Sequence, residues 1–116
     1  MPALQRLHPG PRLSEASIHG GTIYLAGQVA DDATQDIRGQ TRQVLASIDR
    51  LLGEAGSDKS RILMAQIFLA DLADFAGMNE IWDAWVVAGQ APCRATVNSR
   101  LARPEWRVEI VVTAAA

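Results

Sequence analysis

Between positions 36 and 52 the residues of one face, Ile37, Thr41, Val44, Leu45, Ile48, Leu51 and Leu52, recur at three- and four-residue steps. Arg38, Arg42, Gln43, Asp49 and Arg50 fill the rest of the turn. This period predicts an amphipathic helix over Asp36 to Leu52, stopped by Gly53 to Gly56. A second stripe of Phe75, Met78, Ile81, Trp82, Trp85 and Val86 predicts another helix. Asp74 is placed to cap it, and Gly89 and Pro92 end it. The period changes elsewhere. Ala16 to His19 and Thr22 to Ala26 flank Gly20-Gly21, a pair suited to the positive φ angles of a two-residue hairpin turn, and Gly27 ends the second strand. Ile62 to Ala70 is short, apolar and bounded by charges, as a buried strand is. Arg94 to Ser99 and Arg107 to Thr113 complete the set.

The order β-β-α-β-α-β-β implies an α+β fold with a mixed sheet, each helix serving as a right-handed crossover between parallel strands. Two helices cover one face of such a sheet. Leu63, Ile67 and Leu69 nevertheless oppose Met64 and Phe68 along one strand, so both faces are apolar. A single chain has no further element for the second face, which predicts a homo-oligomer.

The chain has 116 residues, 48% of them hydrophobic, and no linker or repeat, which reads as one domain over 1–116. Eleven Lys and Arg against thirteen Asp and Glu give a net charge of −2, with no basic run. That balance disfavours a nucleic-acid backbone or an anionic membrane as partner. Cys93 is the sole cysteine, so no internal disulfide forms, and no Cys/His spacing suits a metal. Met1 to Ala16 lacks the apolar segment of a signal peptide, and the chain reads as cytoplasmic.

Two strands carry ionisable side chains. Glu109 alternates with Val108 and Ile110 and is flanked by apolar residues, so its carboxylate needs a partner. Arg94 is a candidate: a symmetric hairpin centred between Leu101 and Ala102 would set it opposite Glu109. The pair then reads either as a structural ion pair or as a site whose guanidinium fork captures a small carboxylate. Other chemistry finds less footing. His8 and His19 read as solvated, Cys93 as a packing thiol, Asp31, Asp32 and Asp36 as a solvated connection, and Asp71 and Asp74 as caps. Trp82 and Trp85 read as core or interface packing. No G-x-S-x-G turn or phosphate loop is present.

Leu25-Ala26-Gly27-Gln28, Asp74-Phe75-Ala76-Gly77-Met78-Asn79, Pro92-Cys93-Arg94 and Val108-Glu109-Ile110, in this order, resemble the reactive intermediate deaminase (Rid/YjgF) family over nearly the whole chain. The resemblance implies a chorismate-mutase-like fold, assembled as a homotrimer whose sheets form a barrel with clefts between subunits. It implies hydrolysis of a 2-imino or 2-enamino acid, such as 2-iminopropanoate, to a 2-keto acid and ammonia, with no cofactor and no metal. Arg94 would grip the carboxylate and Glu109 would orient water, with Gly27, Asn79 and Thr96 lining the cleft. Leu13 stands where archetypal members carry tyrosine, Ala26 where serine is common, and Thr96 where cysteine is. These changes mark a divergent subgroup, with a different substrate side chain or with carboxylate binding in place of turnover.

Overall fold

A computed structural model describes residues 3–116. Its strands are β1 (Gln5–Leu7), β2 (Ala16–His19), β3 (Thr22–Leu25), β4 (Ile62–Leu69), β5 (Cys93–Asn98) and β6 (Val108–Ala115), and its helices are α1 (Ile37–Glu54) and α2 (Phe75–Trp85). They build one sheet in the order β1-β2-β3-β6-β4-β5. β4 and β5 run parallel and the other neighbours antiparallel, so the α+β class and the mixed sheet are as expected. β1 is the extra strand. Three residues, two of them exposed and polar, carry no period for the sequence to display.

The β2–β3 turn holds Gly20 at φ +60° and Gly21 at φ +80°, the left-handed pair that a two-residue hairpin favours. Asp36 caps α1, its side chain accepting from Gly39 N at 2.9 Å. Every residue of the anticipated α1 stripe is buried, and Gln40 joins it. That face packs on the side of the sheet formed by Ile23, Leu25, Ala65, Ile67, Leu69, Val108, Ile110 and Val112. From α2, Met78 and Trp82 enter the core, while Ile81, Trp85 and Val86 pack at its margin. Phe75, at the first residue of the helix, stays 43% exposed.

Several expectations are corrected. Asp74 makes no capping hydrogen bond, because the chain enters α2 already helical through a 3-10 turn at Leu72–Asp74. The extended backbone a cap needs lies upstream at Asp71, whose side chain accepts from Ala73 N at 2.9 Å. Asp74 instead accepts from Arg107 Nη1 at 3.3 Å. Leu63 does not share a face with Ile67 and Leu69: it is the extra residue of a bulge between Ile62 and Met64 and is half exposed. Cys93 is exposed at the start of β5, its thiol donating to Leu63 O at 2.9 Å, rather than packed away.

The face of the sheet away from the helices bears Met64, Phe68 and Val111, partly buried, with Tyr24 and Val97 exposed. No described helix is long and apolar enough to cross a membrane.

Candidate functional site

Arg94 lies in β5, an edge strand, in register with Ala65, so its side chain rises on the helix-covered face. There it meets α2. Its Nη1 donates to Asn79 Oδ1 at 2.8 Å, and its guanidinium sits 5.3 Å from the centre of the Trp82 ring. Asn79 and Trp82 are one helical turn apart, so a single face of α2 supplies both an acceptor and an aromatic platform. Among the described residues Arg94 forms no ion pair. A partly buried, oriented cation with most of its five N–H donors unused is suited to an incoming carboxylate.

Thr96 follows two residues along β5 on the same face, and its Oγ1 is buried without a hydrogen-bond partner. Asn79, Arg94 and Thr96 thus form one group.

Glu109 forms the other group with Gly27. Val108, Ile110 and Val112 turn into the core, so Glu109 projects to the opposite face, in register with Phe68. After β3 the chain stays against β6: Gln28 N donates to Ile110 O at 2.9 Å and Ile110 N to Gln28 O at 3.1 Å. This bridge is offset by one residue from the Thr22–Tyr24 pairing, the mark of an inserted residue. The offset lays Gly27 under the carboxylate, where an added Cβ would stand 2.0 Å from Glu109 Oε2. Among the described residues Glu109 too forms no ion pair.

The anticipated Arg94–Glu109 pairing is therefore overturned. β5 and β6 are not a hairpin; β4 lies between them, parallel to one and antiparallel to the other, and the two side chains leave opposite faces. The structural ion pair falls with it. Trp82, read from its spacing as packing, is also the platform under Arg94, a role its position three residues after Asn79 already allowed.

A family model described as Endoribonuclease L-PSP matches residues 3–116. The RutC family protein of Haemophilus influenzae is 52% identical over 112 residues, covering 96% of this chain and 97% of that one. The RutC family protein YoaB of Escherichia coli K12 is 49% identical over 110 residues, covering 95% and 96%. Among solved structures, NMB1025 of Neisseria meningitidis, described as a member of the YjgF protein family, superposes with a TM-score of 0.95 at 50% identity, covering 97% and 94%. The α+β chorismate-mutase-like fold expected from the sequence is the one observed, and NMB1025 shares it.

Proposed function

Since the chain belongs to the Endoribonuclease L-PSP family, the Rid/YjgF family its residues resemble, we propose that it hydrolyses small 2-imino or 2-enamino acids to 2-keto acids and ammonia. The observation that carries this reading is Arg94: a guanidinium oriented by Asn79 and Trp82, with no carboxylate of its own chain. It takes the substrate carboxylate as a two-point fork and so fixes where the imine carbon lies. Thr96, with its unpartnered hydroxyl beside Arg94, lines the same cleft.

Glu109 supplies the water. Its carboxylate accepts a hydrogen bond from a water molecule and aims the oxygen at the imine carbon, with Gly27 leaving room beneath. The new C–O bond forms as the C=N electron pair moves to nitrogen, and the proton that the water gives up to the Glu109 carboxylate passes on to that nitrogen. The resulting carbinolamine collapses, passing its hydroxyl proton to the departing amine, and releases ammonia and the keto acid. No cofactor or metal enters.

Arg94 and Glu109 leave opposite faces of one sheet, so in this reading each cleft combines Arg94 of one copy with Glu109 of the next. A homotrimer in the cytoplasm, closed over the apolar face of Phe68, Val97 and Val111, provides such clefts. A second reading, a non-catalytic binder of 2-keto acids, is favoured by Leu13, which puts an exposed aliphatic side chain where archetypal members have a hydroxyl.

The test is a coupled assay in which imino acids of several side chains are generated in situ and keto acid release is compared with the spontaneous rate. Acceleration by the wild type that Arg94→Ala abolishes, with the oligomer intact, is the expected result. Keto acid binding without acceleration on any substrate would establish the second reading instead.

A further inference from the structure

The loop between β5 and β6 builds a second cationic feature, independent of the reading above. Residues 99–107 hold three of the eleven cationic side chains, Arg100, Arg103 and Arg107, and only one of the thirteen acidic ones, in a chain of net charge −2; Arg107 is paired with Asp74, which leaves Arg100 and Arg103. The loop is fixed at both ends to the end of β4, by Ser99 N to Leu69 O at 3.0 Å and Ala70 N to Arg107 O at 3.1 Å. Its middle is fixed from below by the buried Gln40, whose amide donates to Glu105 O at 3.1 Å and accepts from Arg107 N at 2.9 Å. A cavity of about 350 Å³ results, lined by Ala70, Arg100, Leu101, Arg103, Pro104 and Trp106.

Four of those six residues offer neutral surface and two offer guanidinium groups. The Arg103 guanidinium lies 5.3 Å from the Trp106 ring centre, and its pairing with Glu105, at 3.8 Å between well-exposed groups, is weak. Arg100 forms no ion pair among the described residues. We infer that this cavity binds a small organic monoanion, an apolar or aromatic carboxylate whose body stacks on Trp106 and whose carboxylate is held by Arg100 and Arg103. The size and mixed lining match a small-ligand pocket, and the charge complementarity selects the anion. An extended polyanion fits less well, because the neighbouring cavity, which shares Ala70, Pro104 and Trp106, carries Asp71, Asp74 and Glu105 against the single cation Arg107, itself paired with Asp74.

The experiment follows the indole N–H signals of the intact protein by NMR during titration with phenylacetate, with Trp106→Phe identifying the signal of Trp106. Phenylacetamide supplies the ring without the charge, and a short single-stranded RNA supplies a polyanion. Expected is a saturable shift at Trp106 with phenylacetate, absent with phenylacetamide. The Arg100→Gln/Arg103→Gln double variant, altered only in an exposed loop, should weaken it by about tenfold or more, while Arg94→Ala leaves it unchanged. Loss in Arg94→Ala with retention in the double variant would assign the binding to the cleft and overturn the inference. An equal response to phenylacetamide, no response at all, or displacement of phenylacetate by the RNA would overturn it as well.

Discussion

Gly27 and Glu109 are in such close approach that any side chain at position 27 competes with the carboxylate for the same space, an added Cβ falling 2.0 Å from Oε2. What must yield is the far end of a flexible side chain, not backbone. Gly27→Ala is therefore expected to keep the fold and its denaturation midpoint while moving Glu109 off its position. A displacement of about 1 Å at a catalytic group costs on the order of 100-fold in rate. Steady-state kinetics beside a denaturation curve separate the two effects, and an unchanged kcat would remove Glu109 from the mechanism.

Asn79→Asp converts the neutral acceptor beside Arg94 into a carboxylate at the same 2.8 Å. An internal ion pair then occupies the guanidinium that the substrate carboxylate needs. Substrate or keto acid affinity should fall by about 10- to 100-fold, the range for a charge-assisted hydrogen bond, with no loss of stability. Arg94→Lys should fare no better than Arg94→Ala, since an ammonium lacks the planar fork. Calorimetric titration with a keto acid checks both.

Gln40→Leu tests a buried amide. Gln40 Nε2 donates to Ala33 O, Gln35 O and Glu105 O, and Oε1 accepts from Arg107 N. A leucine fits this enclosed position but leaves that N–H and those carbonyls, which are part-buried, without their side-chain partner. Each such group costs about 1–3 kcal/mol, so a loss of about 3 kcal/mol or more is expected in chemical denaturation at fixed protein concentration.

Acid stability should depend on two exposed aspartates. The Thr34 hydroxyl, then Thr34 N and Gln35, lower the pKa of Asp32; the Ser60 hydroxyl, then Ser60 N, lower that of Asp58. A carboxyl whose folded pKa is depressed contributes stability above its unfolded value, about 4, and that contribution is lost as pH falls through the lower folded value. Asp32→Asn/Asp58→Asn should therefore flatten the decline in stability below about pH 4 and leave its slope near pH 7 unchanged. Melting temperatures across that range decide it.

Val97→Asp places a charge on the exposed apolar face of β5 without touching the core. If that face closes against a second copy, the variant sediments as a smaller species than the wild type and loses activity with it. An unchanged sedimentation coefficient would mean that the assembly uses another surface.

How far the residues disclosed this structure depended on the range of the interactions involved. The Gly20-Gly21 hairpin and the α1 stripe were legible because a turn and a helix face are set by neighbours a few positions apart. The Asp74 cap was misplaced by one short 3-10 turn, which moved the capping geometry to Asp71. Strand pairing is the opposite case. Val108–Ala115 is as good a hairpin partner for Cys93–Asn98 as it is a neighbour for Ile62–Leu69, and only the whole sheet selects β4. For the candidate site, the residue types were legible and their company was not: Asn79 and Arg94 meet, whereas Glu109 belongs with Gly27 on the other face.

The position of β6 bears on how the chain comes to fold. It is the last strand along the sequence, yet it lies between β3 and β4 and is hydrogen-bonded to both. Until Val108–Ala115 has been synthesised, the amino-terminal hairpin and the β4–α2–β5 unit share the cover of α1 but no strand pairing, and each exposes an unpaired edge. Such long-range closure slows folding and leaves sticky intermediates. A nascent chain of this topology therefore completes its six-stranded sheet only once Val108–Ala115 has emerged from the ribosome, and removing that strand would leave two fragments of a sheet rather than a smaller protein.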